Sequence, residues 1–224
     1  MLSSTCDCQS HDMQTITSLP TNYVSIGTLN LSKNIPVLIA MNVFGSILLL
    51  PSGWLFFTVA IALRPEAGPI LALGNLITTP PDGGFTLSLP APWIIGLLVA
   101  LVLVVVIHEF VHGVFFWHFT HRRPVFGLGL FAAFAAPPAG VFVPRNQYFV
   151  VTLAPLVVLT LLGLLLVPIL PTPALPTDLS FITLNAAGTM GDLFVAAWLL
   201  ARPSALFVQD TGDTVTLFGP AQKE

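Results

Sequence analysis

The chain is patterned in long apolar runs separated by short polar or proline-rich pieces. Residues 35–63 carry no charge, residues 92–119 hold a few polar groups in an otherwise apolar stretch, and two further apolar runs follow at 148–170 and 179–201. A helix needs roughly 20 apolar residues to cross a hydrocarbon core of about 30 Å, so each run is long enough. The pattern predicts an all-α integral membrane protein with about four transmembrane helices. Pro51 and Gly53 predict a kink in the first span, and the second, at about 42 Å if wholly helical, must tilt or project from the bilayer.

The connections are less regular. Residues 64–90 contain Pro80-Pro81-Asp82-Gly83-Gly84 between two short apolar pieces, which predicts a small hairpin outside the membrane. Residues 124–144 are apolar yet interrupted by glycines and by Pro137-Pro138, so a hairpin or re-entrant segment is expected there rather than a helix. Such backbone is tolerated at membrane depth only where protein buries it or where it lines a watery cavity. The alternating piece at 23–29 reads as a strand or an irregular lead-in. The end of the chain reads as a small C-terminal β-hairpin whose Asp210-Thr211-Gly212 is a turn rather than half of an aspartic protease site. These readings divide the chain into a polar N-terminal segment (1–35), a four-span membrane domain (36–203) and a hairpin tail (204–224).

Composition agrees with that class. Of 224 residues, 55% are hydrophobic and 8% charged, against about 25% charged in soluble domains. The net charge is -3 and the seven basic residues are scattered, which leaves no footprint for nucleic acid. Cys6 and Cys8 are too close for a disulfide in regular structure and too few for a structural zinc site. The N-terminal stretch lacks a basic region followed by an apolar core, so no cleavable signal peptide is expected. With four spans, Lys33, Arg122, Arg123, Arg145, Arg202 and Lys223 fall on one side and Arg64 alone on the other. That asymmetry predicts a multi-pass protein of the plasma membrane with both termini cytoplasmic.

The second span contains His108-Glu109-Phe110-Val111-His112, an HExxH pattern. Residues four apart share a helix face, so both imidazoles can reach one metal ion while Glu109 sits beside the open coordination position. Catalytic zinc usually takes three protein ligands and a water. His118 has the spacing of the third histidine in the metzincin motif, but Phe115 stands where that motif needs a glycine. On a continuous helix His118 therefore lies about 240° round and about 9 Å further along. Counting back from the inner ends of spans two and four puts His112, Asp192 and His108 at depths of about 10, 14 and 16 Å. Asp192 is thus level with the histidines, either as the third ligand or as a buried carboxylate paired with Asn or Thr. Asn185 lies two turns before it on the same face, with Gly188 between them to admit another helix. Haem is disfavoured, because two histidines on one helix face cannot grip opposite faces of the ring.

HEFVH in one membrane helix with Asn185-x-x-Gly188-x-x-Gly191-Asp192 in a later one resembles the intramembrane zinc metallopeptidases of the site-two protease type. Most of all it resembles the compact bacterial and archaeal family of zincin peptidases otherwise of unknown function. The resemblance implies His108, His112 and Asp192 as zinc ligands, Glu109 as general base, and the 124–144 segment as a clamp for an unwound substrate. The chain departs from the site-two pattern in having Gly-Asp-Leu where that type usually carries prolines and Asp-Gly. The expectation is a membrane-embedded zinc endopeptidase whose partners are the bilayer and a membrane protein or peptide substrate, with Asn185 orienting a ligand or the substrate. The alternatives are a non-catalytic metal-binding membrane protein and a four-span transporter using Asp192 and Asn185. Substrate, cleavage position and oligomeric state are not encoded in these patterns.

Overall fold

A computed structural model describes residues 14–30, 33–71, 77–78, 84, 86–88, 90–129 and 133–221. Cys6, Cys8 and the turn cluster at 80–83 lie outside the described residues. Strand β1 (Tyr23–Asn30) leads into helix α1 (Ile35–Leu63), which runs on through Pro51. A 3-10 turn at Pro65–Ala67 and the short α2 (Gly68–Leu71) follow, then the two-residue strands β2 (Ile77–Thr78) and β3 (Thr86–Leu87), which pair as an antiparallel hairpin. Helix α3 (Ala91–Thr120) carries the HExxH pattern and stops at His121, whose φ of 52° turns the chain aside.

Strands β4 (Val125–Leu128) and β5 (Ala133–Ala136) form the hairpin expected between spans two and three. After β6 (Val143–Pro144), helix α4 occupies Arg145–Leu166, beginning and ending earlier than the 148–170 run. The fourth apolar run is not one helix. It forms α5 (Leu175–Gly188) and α6 (Met190–Leu200), bent by 41° at Thr189. Among the described residues, three helices are long and apolar enough to cross a membrane, and the bent pair makes a fourth if it is counted as one span. The chain closes with β7 (Phe207–Asp210) and β8 (Thr214–Pro220), the hairpin expected at its C-terminal end.

Helix α5 is the hub of the bundle. A Cβ on Gly45 of α1 would meet the Ala187 carbonyl, one on Gly96 of α3 would meet the Thr177 hydroxyl, and one on Gly163 of α4 would meet Ile182. Three helices therefore approach α5 at glycine, and close backbone approach is what favours small residues between membrane helices. Gly188, expected to admit a neighbour, has nothing within reach of an added Cβ; it stands instead at the break before Thr189. Outward faces remain apolar and uncovered, as at Leu50 (80% exposed) and Val102 (64%), which suits lipid contact.

The two ends of the bundle are closed differently. At one end β1, β8, β7 and β6 form a four-stranded sheet in that order, so the strand before the first span pairs with the last strand of the chain. Its inner face shares a core with the helix ends through Val208, Leu217, Phe116, Tyr148 and Leu199. Each such apolar side chain removed from water contributes about 1.5–3 kcal/mol. Arg145 donates from Nε and Nη2 to the Leu199 carbonyl at 2.9 and 2.6 Å, closing the C-terminus of α6. At the other end Arg64 donates to the Val167 and Leu170 carbonyls at the C-terminus of α4. Both arginines add donors to carbonyls at or just past a helix C-terminus, with a cation at the negative end of the dipole.

Candidate metal and catalytic site

Because the α3 helix is continuous at HEFVH, His108 and His112 project from one face with ring centroids 4.9 Å apart. Asp192 reaches them from the first turn of α6, where the positive end of a helix dipole favours a carboxylate. The break at Thr189 creates that helix start, and the Thr189 hydroxyl donates to the Asn185 carbonyl. His108 Nε2 lies 3.0 Å from Asp192 Oδ2 and His112 Nε2 lies 3.4 Å from Asp192 Oδ1. One ligand atom from each of the three residues falls within 4.8 Å of the others, a grouping that could hold a metal ion.

The hydrogen bonds behind the histidines test that reading. A carbonyl only accepts, so the contact of Asn185 with the Pro155 carbonyl at 3.2 Å makes Nδ2 the donor. Asn185 Oδ1 then faces His108 Nδ1 at 3.1 Å and must accept its proton. His112 Nδ1 donates in the same way to the Val151 carbonyl at 3.0 Å. With both Nδ1 atoms engaged as donors, the Nε2 atoms of both rings are left to face the Asp192 carboxylate oxygens, and in the neutral rings they do so as lone pairs. Acceptors converging on one point call for a cation. The 3.0 and 3.4 Å contacts run to different oxygens of the Asp192 carboxylate, so each imidazole faces its own carboxylate oxygen. The donor set of two imidazoles and a carboxylate fits zinc.

Glu109 is half-buried and lines the same cavity, which measures about 580 Å³. Strand β5 pairs with β4 on one edge, and on the other the Ala135 backbone amide faces the Glu109 carboxylate. The hairpin lies back along α3, since a Cβ on Gly113 would meet the Phe126 ring and Pro124. It thus returns from Thr120 towards the level of Glu109, eleven residues or about 16 Å of helix. On the far wall, α1 contributes Met41, Asn42 and Ser46 to the cavity.

His118 is exposed and packs against Phe119, away from the cluster, as its offset of six residues on a continuous helix requires. Structure and sequence reading part at other residues. Asp178, which falls in sequence between the apolar runs at 148–170 and 179–201, lies buried in α5 with Oδ2 unpartnered, a further carboxylate within the helices beside Glu109 and Asp192. Helix α4, whose apolar run carries no charged residue, supplies the Val151 and Pro155 carbonyls behind both histidines. The Asp210-Thr211-Gly212 turn, where Gly212 has φ 89°, also reaches the cavity. Asp210 accepts from the Tyr148 hydroxyl and from the Gly212 N–H, both at 2.7 Å. Burial pushes the Asp210 carboxyl above its ordinary value of 3.8, against the pull of those two donors. The same turn holds the hairpin, because Phe134 of β5 rests on Gly212.

Residues 101–207 match the sequence model of a family described as "Putative zincin peptidase". The matched stretch runs from within α3 to the start of β7, so it contains His108, Glu109, His112, Asn185 and Asp192. Neither curated proteins nor solved structures give a match to this chain. The family likeness and the His–His–Asp group together support a metal-dependent peptidase.

Proposed function

We propose that this protein is a membrane-embedded zinc-dependent endopeptidase that cuts transmembrane or membrane-proximal peptide segments. The observation that carries the reading is the convergence of two tautomer-fixed histidines and Asp192 on one point beside Glu109. His108, His112 and Asp192 hold the metal. Zinc in that position supplies Lewis acidity, drawing the pKa of a water towards 7 and polarising the scissile carbonyl. Glu109 takes the proton from the attacking water and delivers it to the leaving amine, as a general base and then a general acid. The free edge of β5 holds the substrate backbone extended, exposing a carbonyl that a helix would shield.

The pairing of β1 with β8 supports a reading with both termini on one side, and the excess of basic residues there favours the cytoplasmic side, in our reading that of the plasma membrane. Purified protein in lipid nanodiscs, offered single-span model peptides, provides the test. Wild type is expected to hold one zinc and to release product, and Glu109→Gln to keep the zinc and release none. A Glu109→Gln variant that still cleaves overturns the catalytic assignment. Stoichiometric zinc in wild type with no Glu109-dependent product would leave a non-catalytic metal protein.

A further inference from the structure

Both histidine supports originate in one turn of α4, and a proline sits in it. In an α-helix the N–H of residue i donates to the carbonyl of residue i−4. Residue 155 is proline and has no N–H, so the Val151 carbonyl has no such partner. That carbonyl is the one His112 Nδ1 reaches at 3.0 Å, at a position buried between helices. The Pro155 carbonyl, in turn, is the acceptor for Asn185 Nδ2, and Asn185 Oδ1 fixes His108.

We propose that Pro155 is a positioning residue of the metal site: its missing N–H reserves the Val151 carbonyl for His112, and its own carbonyl anchors Asn185 and so His108. The inference rests on His108 and His112 being metal ligands. Groups behind metal-bound histidines typically set 10–100-fold of metal affinity. A proline serving only the helix should behave oppositely on replacement, since alanine is the far better helix former.

The test is zinc affinity of the full-length protein, measured by competition with a chelating dye, alongside its thermal unfolding midpoint. For Pro155→Ala the expected result is zinc binding weakened at least tenfold with an unfolding midpoint, measured without metal, no lower than that of wild type. A second variant, Pro155→Ala with Leu156→Pro, keeps a proline in the helix but frees the Thr152 carbonyl instead; it is expected to bind zinc as poorly as the single variant. Unchanged affinity in Pro155→Ala overturns the proposal, as does recovery of affinity when the proline is merely shifted. The ¹⁵N resonance of His112 Nδ1 gives an independent reading should either variant unfold: in wild type it is expected to show a hydrogen-bonded N–H, and a free one overturns the assignment. Wild-type protein that binds no zinc removes the ligand reading itself, an outcome distinct from all of these.

Discussion

Replacing Asn185 by leucine removes one side chain of similar size and tests how the site is held. Asn185 is fully buried and makes two hydrogen bonds, from Nδ2 to the Pro155 carbonyl at 3.2 Å and through Oδ1 to His108 Nδ1 at 3.1 Å. Leucine leaves the His108 N–H without its acceptor at a fully buried position. An unsatisfied buried polar group costs about 1–3 kcal/mol, and at about 1.4 kcal/mol per decade this is roughly a 5–150-fold change in an equilibrium constant. The part of that cost relieved when His108 swings away appears as weaker zinc binding, and the remainder as lower stability. The expected outcome is zinc affinity reduced about 10–100-fold in chelator competition, with stoichiometry still near one at saturating zinc. Asn185→Asp should recover part of the loss, because a carboxylate also accepts from His108, though it opposes the Pro155 carbonyl with a second acceptor. Zinc affinity of Asn185→Leu within twofold of wild type would show that the Asn185–His108 contact does not orient the ligand, and the tautomer argument would fail with it.

Other substitutions probe the surroundings. Gly212→Val places a branched side chain at φ 89° and against Phe134; strain of that kind costs about 1–3 kcal/mol, so the unfolding midpoint in detergent should fall. Arg145→Leu should destabilise by about 1–2 kcal/mol, read in the same assay, because the α6 terminus loses its cation. Asp210 has a folded pKa above its ordinary 3.8, so its contribution to stability is complete below 3.8 and is lost as pH rises through the raised value. Asp210→Asn should therefore flatten the fall in stability over that interval, and superimposable pH curves for the two proteins would contradict the burial of this carboxyl.

Much of the site was legible because it obeys local rules. HExxH needs only a continuous helix, and Asp192 could be matched to it by counting residues back from the ends of the two apolar runs, taken as running in the same direction. The hairpins also announced themselves through glycine and proline at expected offsets. What stayed hidden depends on which helix lies against which. The orphan carbonyl at Val151 is readable from Pro155 alone, and His112 needs an acceptor for Nδ1, yet nothing in the order of residues says that α4 faces α3 at that turn. The break at Thr189 was equally obscure, as Gly188 is as common at a close helix contact as at a helix end. Asp178 was misplaced because Pro176 is accommodated in the first turn of α5 rather than ending a loop.

The strand that precedes the first span is hydrogen-bonded to the last strand of the chain. During synthesis, β1 must wait until residues 214–220 have left the ribosome, after helices α1 to α6 have been made. The turn that seats Phe134 and receives Tyr148 closes in that final step. A nascent chain therefore carries its histidines and Glu109 through the synthesis of α4, α5 and α6 without the bracket that sets the hairpin beside them, and the order of translation itself keeps the cleft unfinished until β7 and β8 have formed.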